Sequence, residues 1–270
     1  MYIGAHIASN PKYLIESCQN IIDNGGNLVQ IFVLPQRIEE YDNFKKFIKS
    51  SKIKLIVHAS YSINLARESD EYSPSVLQFI AEIECAYDLG ATAIVVHMGK
   101  KIELELSEAY NNMYLGLLTV HEKTKSKPIK ILLETSTGQG SEICFKLEDF
   151  AHFFKKLSRN KNKEIHKRFG ICVDTCHIFA AGYDLKTKSS VYMYIEAFEE
   201  LIGLHYINLI HLNDSKKDVG SNVDRHENIN KGYIGIEGLT EFANYFKKLN
   251  IPIVLETPRE YILDDLKLLL

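Results

Sequence analysis

Eight short apolar segments rich in β-branched residues alternate with longer amphipathic segments from one end of the chain to the other. The strand candidates are residues 2–7, 28–33, 53–58, 93–97, 129–134, 169–174, 207–212 and 252–256. This alternation predicts parallel strands with helical crossovers, and 270 residues suit a closed (β/α)8 barrel, the TIM barrel. A doubly wound open sheet is the competing fold, but no glycine-rich phosphate turn follows the first strand segment. We therefore expect an α/β TIM barrel with its active site at the C-terminal ends of the strands.

The segments between the strands carry helix signals. Ser73 is a predicted N-cap, Pro74 occupies the first helical position, and Gly90 is placed to end the helix. The apolar stripe predicted for this helix consists of Val76, Ile80, Ile83 and Tyr87. Similar stripes predict helices within residues 9–25, 147–157 and 239–249, the first of them beginning at Ser9. Each helix is expected to pack its apolar stripe on the sheet.

Composition is typical of a globular protein with a core. Hydrophobic residues make up 46% and charged residues 25% of the chain, and its apolar runs are too short to span a bilayer. No linker or change of composition divides the chain, so residues 1–270 are expected to form one domain. The N-terminus resembles neither a secretory signal nor a transit peptide. Five cysteines without a CxxC pair predict reduced core thiols in an intracellular protein.

Residues able to bind metal stand at the C-terminal ends of six predicted strands. They are His58, His97, Glu134, Asp174, His211 and Glu256. In a barrel these ends converge on one face, so six such side chains would surround one opening. Strand alternation predicts that Leu132, Cys172 and Val254 point inside the barrel, together with the carboxylates two positions later. One histidine at a strand end is usually a packed core residue, but six successive strand ends favour a functional site.

Three more candidate ligands lie in loops at the same face. His177 follows the sixth strand, while Asp224 and His226 belong to the long loop after the seventh, and loops of that length usually have a function. The nine imidazole and carboxylate groups suit zinc, manganese or iron. They exceed the coordination of one ion, so two or three ions are expected. Clustered divalent ions favour in-line phosphoryl chemistry, and Cys172 and Cys176 are then expected to be packing residues.

Several stretches of the chain resemble the endonuclease IV family of apurinic/apyrimidinic (AP) endonucleases, within the xylose isomerase-like TIM barrel superfamily. The matching stretches are YIGAHI, HASYSINLA, VVHMG, LETSTGQGS, CVDTCHIFAAGYDL, HLNDSK, DRHENINKGYIG and the LET at residues 255–257. The resemblance covers nearly the whole chain, and the stretches with DTCH and DRHE are highly specific. All nine candidate ligands stand at positions that supply zinc ligands in the family.

The resemblance implies three Zn²⁺ ions per chain, with Mn²⁺ as an alternative at one or more sites. The implied ligand sets are His58, His97 and Glu134 for the first ion, Glu134, Asp174, His211 and Glu256 for the second, and His177, Asp224 and His226 for the third. Glu134 is expected to bridge two ions, and Glu134 and Glu256 are the expected catalytic residues. Asp174 and His177 are expected to bind different ions despite their close spacing.

The resemblance further implies a role in base excision repair. The family hydrolyses the phosphodiester 5′ to an abasic site, leaving a 3′-hydroxyl and a 5′-deoxyribose phosphate. It also trims blocked 3′ ends as a 3′-phosphodiesterase and 3′-phosphatase, while 3′–5′ exonuclease action stays open. The expected partner is double-stranded DNA with abasic sites or blocked 3′ ends, with no membrane. We expect an intracellular monomer, cytoplasmic in a bacterium and nuclear, cytoplasmic or virion-associated in a eukaryote or virus.

DNA contacts are expected from loops on the metal-binding face. Arg37 and Tyr61 match family positions that enter the duplex, whereas Ser62 stands where the family usually has an apolar wedge. Without the resemblance, Arg37 is also explained as a solvated loop charge, and Tyr61 as an aromatic residue packed at the rim. The net charge of −3 disfavours nucleic acid, but three Zn²⁺ ions add six charges and change it to +3. Basic loop residues on this face would contact phosphates, namely Lys100, Lys101, Lys216, Lys217, Arg225, Lys231 and Arg259.

Two other functions compete with this interpretation. A sugar isomerase or epimerase on the same barrel would use one divalent ion held by Glu134, Asp174, His211 and Glu256. The five remaining candidate ligands have no place in such an enzyme and argue against it. A non-catalytic protein that binds damaged DNA would have no need of nine ligands.

The remaining histidines and the most basic segment have simpler interpretations. His6 ends the first strand and is expected to lie beside the ligands without being one. Histidines in helices or before strands are expected to lie away from the metal-binding face, and these are His121, His152, His166 and His205. The basic segment 155–168 precedes the sixth strand and is expected to be solvated on the opposite face.

Overall fold

The barrel is built from eight parallel strands. The computed structural model describes residues 1–8 and 10–270. The barrel strands are β1 Ile3–His6, β2 Leu28–Phe32, β3 Lys54–His58, β4 Ala93–His97, β5 Lys130–Glu134, β6 Phe169–Asp174, β7 Ile207–His211 and β10 Ile253–Leu255. They close in the order β1-β10-β7-β6-β5-β4-β3-β2. The predicted strands are confirmed to within one residue at each end, and the predicted TIM barrel is confirmed with them.

The two remaining strands form a hairpin outside the barrel. β8 (Asp214–Ser215) and β9 (His226–Glu227) pair in antiparallel fashion within the long segment that follows β7. The pairing sets His226 opposite Ser215. It thereby returns the DRH sequence to the C-terminal end of the barrel, where His226 approaches Asp174 at the end of β6.

In the described part of the chain, ten α-helices surround the barrel. They are α1 Leu14–Asp23, α2 Asp42–Ser51, α3 Pro74–Leu89, α4 Leu106–Lys123, α5 Leu147–Ser158, α6 Lys163–Arg168, α7 Thr175–Ala180, α8 Lys188–Leu201, α9 Gly235–Lys248 and α10 Ile262–Leu269. Short 3-10 helices lie at Pro11–Tyr13, Pro35–Tyr41 and Leu204–Tyr206. Within residues 1–8 and 10–270, no helix combines the length and the apolar character that crossing a bilayer requires.

The helix α3 begins and ends where its sequence signals predict. The Ser73 hydroxyl accepts a hydrogen bond from the backbone N–H of Val76, and Gly90 ends the helix with a φ of 84°, which favours glycine. The predicted apolar stripe is wrong at Tyr87, which is 39% exposed. Phe79 is buried instead, because the face that packs on the sheet is rotated toward it.

The other predicted helices are found with shifted starts. Ser9, the predicted start of the first helix, lies outside the described residues; a 3-10 turn precedes α1. The predicted helix at 147–157 corresponds to α5, and the one at 239–249 begins earlier, at Gly235. The prediction that the basic segment 155–168 is solvated is wrong at Arg168, which is only 7% exposed. Its guanidinium is buried because it reaches back under the end of α4 to bond Thr124.

Two apolar clusters fill the fold. The larger lies between strands and helices, and the smaller, inside the barrel, consists of Leu28, Ile56, Ala93, Val95, Leu132, Cys172, Leu209 and Val254. The inward orientation predicted for Leu132, Cys172 and Val254 is thus confirmed. Side chains alternate along a strand, so the residues two positions further on also face inward, at the open end of the barrel. The five cysteines are buried and free, as predicted for reduced core thiols.

Candidate metal centre

The ends of β3, β4 and β5 bring two imidazoles to one carboxylate oxygen. His58 Nε2 lies 3.2 Å and His97 Nε2 3.0 Å from Oε2 of Glu134. In the barrel register, His97 is the direct strand partner of Glu134. His58 and Glu134 are buried, whereas His97 borders a cavity at the mouth. These three residues are the first predicted ligand set.

Glu134 lies between two groups of side chains. Its second oxygen, Oε1, is 2.7 Å from Nδ1 of His211. The same nitrogen is 3.2 Å from Glu256 Oε2 and 3.8 Å from Asp174 Oδ2. Three carboxylates therefore converge on His211, and the two oxygens of Glu134 face different imidazoles, the arrangement that a bridging ligand needs.

The loop residues form a third group above the end of β6. Asp224 Oδ1 lies 3.3 Å from His177 Nε2 and 3.4 Å from His226 Nε2. His226 Nε2 is also 3.6 Å from Asp174 Oδ2. Potential ligand atoms of Asp174, His177 and His226 all lie within 4.8 Å of one another. Asp174 thus borders both the second and the third group, and its assignment to a different ion from His177 stays a prediction.

Hydrogen bonds to the outer ring nitrogens orient these histidines. Nδ1 of His58 lies 2.7 Å from the carbonyl oxygen of Ala59, and Nδ1 of His177 lies 2.7 Å from that of Thr135. Nδ1 of His226 faces a third backbone carbonyl at 3.2 Å. A carbonyl oxygen can only accept a hydrogen bond, so the ring proton belongs on Nδ1 and the Nε2 lone pair of each neutral ring points into the site.

This arrangement fits divalent metal ions. An Nε2 lone pair and a carboxylate oxygen are both acceptors, so a neutral ring and a carboxylate repel each other unless a cation or a proton lies between them. Among the residues described, the buried Nε2 atoms of His177 and His226 have no hydrogen-bond partner. Imidazole and carboxylate form the donor set that zinc takes, usually with the outer ring nitrogen held by a hydrogen bond. The nine predicted ligands are therefore suitably placed for a metal cluster.

The electrostatics of the site require a compensating positive charge. Burial opposes the charged form, but Asp174 and Asp224 raise the pKa of His177 well above its ordinary value. Burial likewise opposes ionisation of Glu134, yet His97 and a second imidazole hold the pKa of its carboxyl well below the ordinary value. Glu134 is therefore ionised, and protons or metal ions must balance its charge.

Two cysteines border the centre. Cys172 lies beside Glu134 and His211, and Cys176 lies beside two of the loop ligands. Burial raises the pKa of both thiols to about 12. Because the thiolate is the form that binds metal, protonated thiols support the prediction that both are packing residues.

Gln30 on β2 contacts the site, and sequence analysis missed it. Its Nε2 donates to Glu256 Oε1 at 2.5 Å and to His6 Nδ1 at 3.0 Å, and its Oε1 accepts from His211 Nε2 at 2.9 Å. The side chain is fully buried. A polar residue within the apolar run LVQIFV was the available signal. His6 lies 3.4 Å from Glu256, beside the ligands as expected.

Two buried carboxylates hold the long segment after β7. Asp214 accepts hydrogen bonds from backbone N–H groups in residues 232–235. Asp265 on α10 has three donors. They are Asn228 Nδ2 at 2.7 Å, Ile229 N at 3.1 Å and Thr257 Oγ1 at 2.6 Å. These bonds position the turn that carries Asp224 and His226 over the barrel mouth.

Tyr61 forms the rim of the mouth. It is 66% exposed, and its ring centroid lies 5.5 Å from that of His58 and 5.3 Å from that of His97. A cavity of about 390 Å³ opens beside it, and Arg225 and Lys100 also line this cavity. An aromatic ring and two cations therefore flank the candidate metal centre.

The other two predicted DNA contacts lie apart from this cavity. Arg37 is exposed and forms an ion pair with Glu40 at 2.5 Å. Ser62 is exposed, and its hydroxyl lies 2.8 Å from Ser60 Oγ and donates to Gln78 Oε1 at 3.1 Å. Neither residue lines the cavity beside Tyr61. Their roles stay predictions.

Comparison with known proteins places the chain in a family. Residues 18–269 match the family model described as xylose isomerase-like TIM barrel. A probable endonuclease 4 of Mycoplasma mobile is 36% identical over 269 residues, which covers 95% of the chain and 91% of the relative. The chain belongs to the endonuclease IV family. It is accordingly a DNA-repair endonuclease, a hydrolase, as the resemblance in its sequence implied.

Solved structures agree with this assignment. The endonuclease IV of Thermus thermophilus has a TM-score of 0.80 and 26% identity, over 100% of this chain and 97% of that chain. A D-tagatose 3-epimerase-like protein has a TM-score of 0.76 at 20% identity, over 100% of this chain and 96% of that chain. The second likeness shows the shared barrel alone.

Proposed function

We propose that residues 1–270 form one catalytic domain, a zinc-dependent AP endonuclease of base excision repair. Its substrate would be double-stranded DNA, cut 5′ to an abasic site to leave a 3′-hydroxyl and a 5′-deoxyribose phosphate. The carrying observation is the convergence of nine imidazoles and carboxylates on one face, with imidazole lone pairs directed inward. The names of the Mycoplasma mobile and Thermus thermophilus relatives support the reaction class.

Three Zn²⁺ ions would occupy the centre, with Mn²⁺ as an alternative. The proposed ligand sets are His58, His97 and Glu134, then Glu134, Asp174, His211 and Glu256, and finally His177, Asp224 and His226. When bound, such ions polarise phosphoryl oxygens and lower the pKa of a bound water to about 7. The chain's task is to hold these ligands in place.

Glu134 and Glu256 would be the central acidic groups. Burial opposes their ionisation, but neighbouring imidazoles hold the pKa of both carboxyls well below the ordinary value. Gln30 fixes one oxygen of Glu256 by its hydrogen bond. Two ionised, immobile carboxylates at the base of the mouth would hold metal ions, and these would in turn attract the scissile phosphate.

The rim residues would hold the DNA. Arg225 and Lys100 border the cavity beside the centre and would bind phosphates on either side of the cleaved bond. Tyr61, exposed above His58 and His97, offers a ring against which a base next to the abasic site can stack. The same centre would trim 3′-phosphates and 3′-phosphodiesters, because these present the same phosphoryl group at a strand end.

A single-metal sugar isomerase or epimerase is the alternative, and the shared barrel of the epimerase-like protein is the observation in its favour. Such an enzyme would leave the three loop ligands, here called the loop group (His177, Asp224 and His226), without a role. Asp224 Oδ1 lies 3.3 Å from His177 Nε2 and 3.4 Å from His226 Nε2, and both imidazoles keep unpartnered Nε2 atoms. A non-catalytic DNA binder would likewise have no need of the loop group.

Metal analysis with a cleavage assay tests the proposal. The purified chain should contain about three zinc ions and nick a duplex with one tetrahydrofuran abasic mimic, and 5′-end labelling should show a 3′-hydroxyl product. A nicked duplex with a 3′-phosphate tests end trimming, and sedimentation tests the proposed monomer. One manganese ion per chain, ketose epimerisation and no nicking would instead establish the alternative.

A further inference from the structure

A second cavity lies at the opposite end of the barrel from the metal centre. Its volume is about 520 Å³, and it lies between the end of α4, the start of β5 and α6. His121, Lys130 and Arg168 are among its lining residues. A volume of this size accommodates a small molecule, in the range of about 300–1,000 Å³ typical of ligand sites.

The charges around this cavity are unbalanced. Two of its lysines have acidic partners in the lining, since Lys125 pairs with Glu122, and Lys167 pairs with Glu164 at 3.3 Å. Glu122 and Glu164 of the lining pair with these lysines, and within residues 1–8 and 10–270 neither Lys130 nor Arg168 forms an ion pair. Arg168 is 7% exposed, so the cavity contains a buried guanidinium without a counter-charge, an arrangement that is costly unless an anion completes it.

Two buried nitrogen atoms in this lining also lack partners. Nδ1 of His121 and Nε of Arg168 make no hydrogen bond with any described residue, and both residues are 7% exposed. The terminal nitrogens of Arg168 donate to the carbonyl of Lys127 at 2.6 Å and to Thr124 Oγ1 at 2.9 Å. These bonds hold the guanidinium rigidly and leave it with spare N–H groups. The site is therefore preorganised and incompletely satisfied.

We propose that this cavity binds a small phosphate monoester, with the phosphate on Lys130 and Arg168. A phosphate monoester carries roughly −1.5 to −2 charges at neutral pH, which matches two cations without partners. A planar guanidinium suits the oxygens of a phosphate, and the remaining volume receives the organic part of the ligand. Burial also lowers the pKa of Lys130 and that of Arg168, the latter to about 10, and an anion would reverse this.

Lys130 lies at the start of β5 and the metal-binding candidate Glu134 at its end, so this ligand would be distinct from the cleaved DNA. Pro128 and Ile129 line it between the charged groups and offer apolar surface to a ligand's non-phosphate portion. A regulatory or anchoring ligand of mononucleotide size has the required charge and volume. Adenosine monophosphate and inorganic phosphate are therefore suitable probes.

Calorimetric titration of the metal-loaded full-length chain tests the proposal. Adenosine monophosphate should bind saturably, whereas adenosine, which lacks the phosphate, should not. Lys130→Gln should weaken this binding at least tenfold and leave nicking unchanged, while Lys130→Arg should restore it. Lys161→Gln, an exposed lysine nearby that is outside the lining, is the matched control. Binding of the phosphate group at the metal centre would persist in Lys130→Gln, so this variant distinguishes it from binding in the cavity.

Circular dichroism confirms that each variant is folded, and Arg168→Lys provides a second variant that keeps the charge but loses the planar fork. Weaker binding by both Lys130→Gln and Arg168→Lys supports the proposal. No saturable binding to the wild-type chain, equal binding of adenosine, or undiminished binding by either variant would overturn it.

Discussion

Gln30 Oε1 accepts a hydrogen bond from His211 Nε2 at 2.9 Å. This bond places the ring proton of His211 on Nε2 and directs the Nδ1 lone pair toward Glu134, 2.7 Å away. The opposite end of the same amide holds Glu256. One glutamine therefore orients two of the proposed metal ligands. The affinity of the site for a metal ion would depend on this orientation.

Gln30→Leu should weaken the metal site. Leucine keeps the volume but leaves His211 and Glu256 without their partner, and loss of such a bond typically reduces metal affinity or activity about 10- to 100-fold. Zinc retention against a graded chelator measures this directly. Gln19→Leu, at an exposed position on α1, is the control. Unchanged retention in Gln30→Leu would show that the amide is not needed to orient the ligands.

Glu134→Gln should abolish nicking while the fold persists. The amide that replaces the carboxylate is uncharged, and its nitrogen has no lone pair for a metal ion, so a loss of more than about 100-fold is expected. The abasic duplex assay and circular dichroism together check the two parts of the prediction. Glu16→Gln, exposed on α1, should behave as wild type. Substantial activity in Glu134→Gln would remove Glu134 from the bridging role.

Asp265→Asn should loosen the loop that carries Asp224 and His226. The substituted amide nitrogen cannot accept from Asn228 and Thr257, and buried groups left unsatisfied cost about 1–3 kcal/mol. A lower thermal midpoint and weaker nicking should therefore appear together. Asp264→Asn, exposed next to it in the same helix, is the matched control. A stable Asp265→Asn variant with full activity would contradict this role.

The stability of the metal-free chain should fall as pH rises from 6 to 9. Burial disfavours the protonated form of His58 and His177, but the nearby carboxylates outweigh this and raise the pKa of both above the ordinary value of 6.5. Protonation of such groups stabilises the folded chain fully below about pH 6.5, and this contribution is lost as the pH rises through the raised pKa. The lowered pKa of Glu134 adds no slope here, because that carboxyl stays ionised throughout.

Thermal unfolding in excess chelator measures this dependence. The zinc-loaded chain should show a smaller decline over the same range, because metal ions then replace the protons as the compensating charge. A metal-free chain with a flat profile between pH 6 and 9 would contradict the electrostatic account of the centre.

Tyr61→Ala should weaken the use of DNA substrate. Stacking of a base on an aromatic ring contributes about 1–3 kcal/mol, so a rise in KM of about tenfold is expected, while Tyr61→Phe should stay close to wild type. Steady-state nicking kinetics separate KM from kcat. Tyr72→Ala, at an exposed tyrosine outside the cavity lining, is the control. Equal kinetics for Tyr61→Ala and wild type would exclude a stacking role.

Much of the site could be predicted because its signals are local. Strand alternation and strand-end positions are sufficient to place Glu134, Asp174 and Glu256 at the mouth of the barrel. The Asp174–His177 spacing proved to serve a local purpose as well. The Asp174 carboxylate accepts a hydrogen bond from the backbone N–H of His177 at 2.9 Å and so caps α7, the helix that carries His177.

The contacts that support the ligands could not be predicted from the sequence in the same way. Gln30 and Glu256 are 226 positions apart, and Asn228 and Asp265 are 37 apart. Each residue is ordinary in its own segment, and only barrel closure brings the partners together. The burial of Arg168 is of the same kind, since its bonds to Lys127 and Thr124 join α6 to the loop before β5.

The sequence alone determined the barrel, its strands and the residue types at the strand ends, because period-two alternation and helix caps act within a few residues. The tertiary structure decided which ring nitrogen of each histidine faces the centre and which carboxylates share an imidazole. It also decided which cations remain unpaired at the far end. The physical reason is that hydrogen bonds and charges depend on distances of a few ångströms between residues far apart in the chain, and only the closed fold sets those distances.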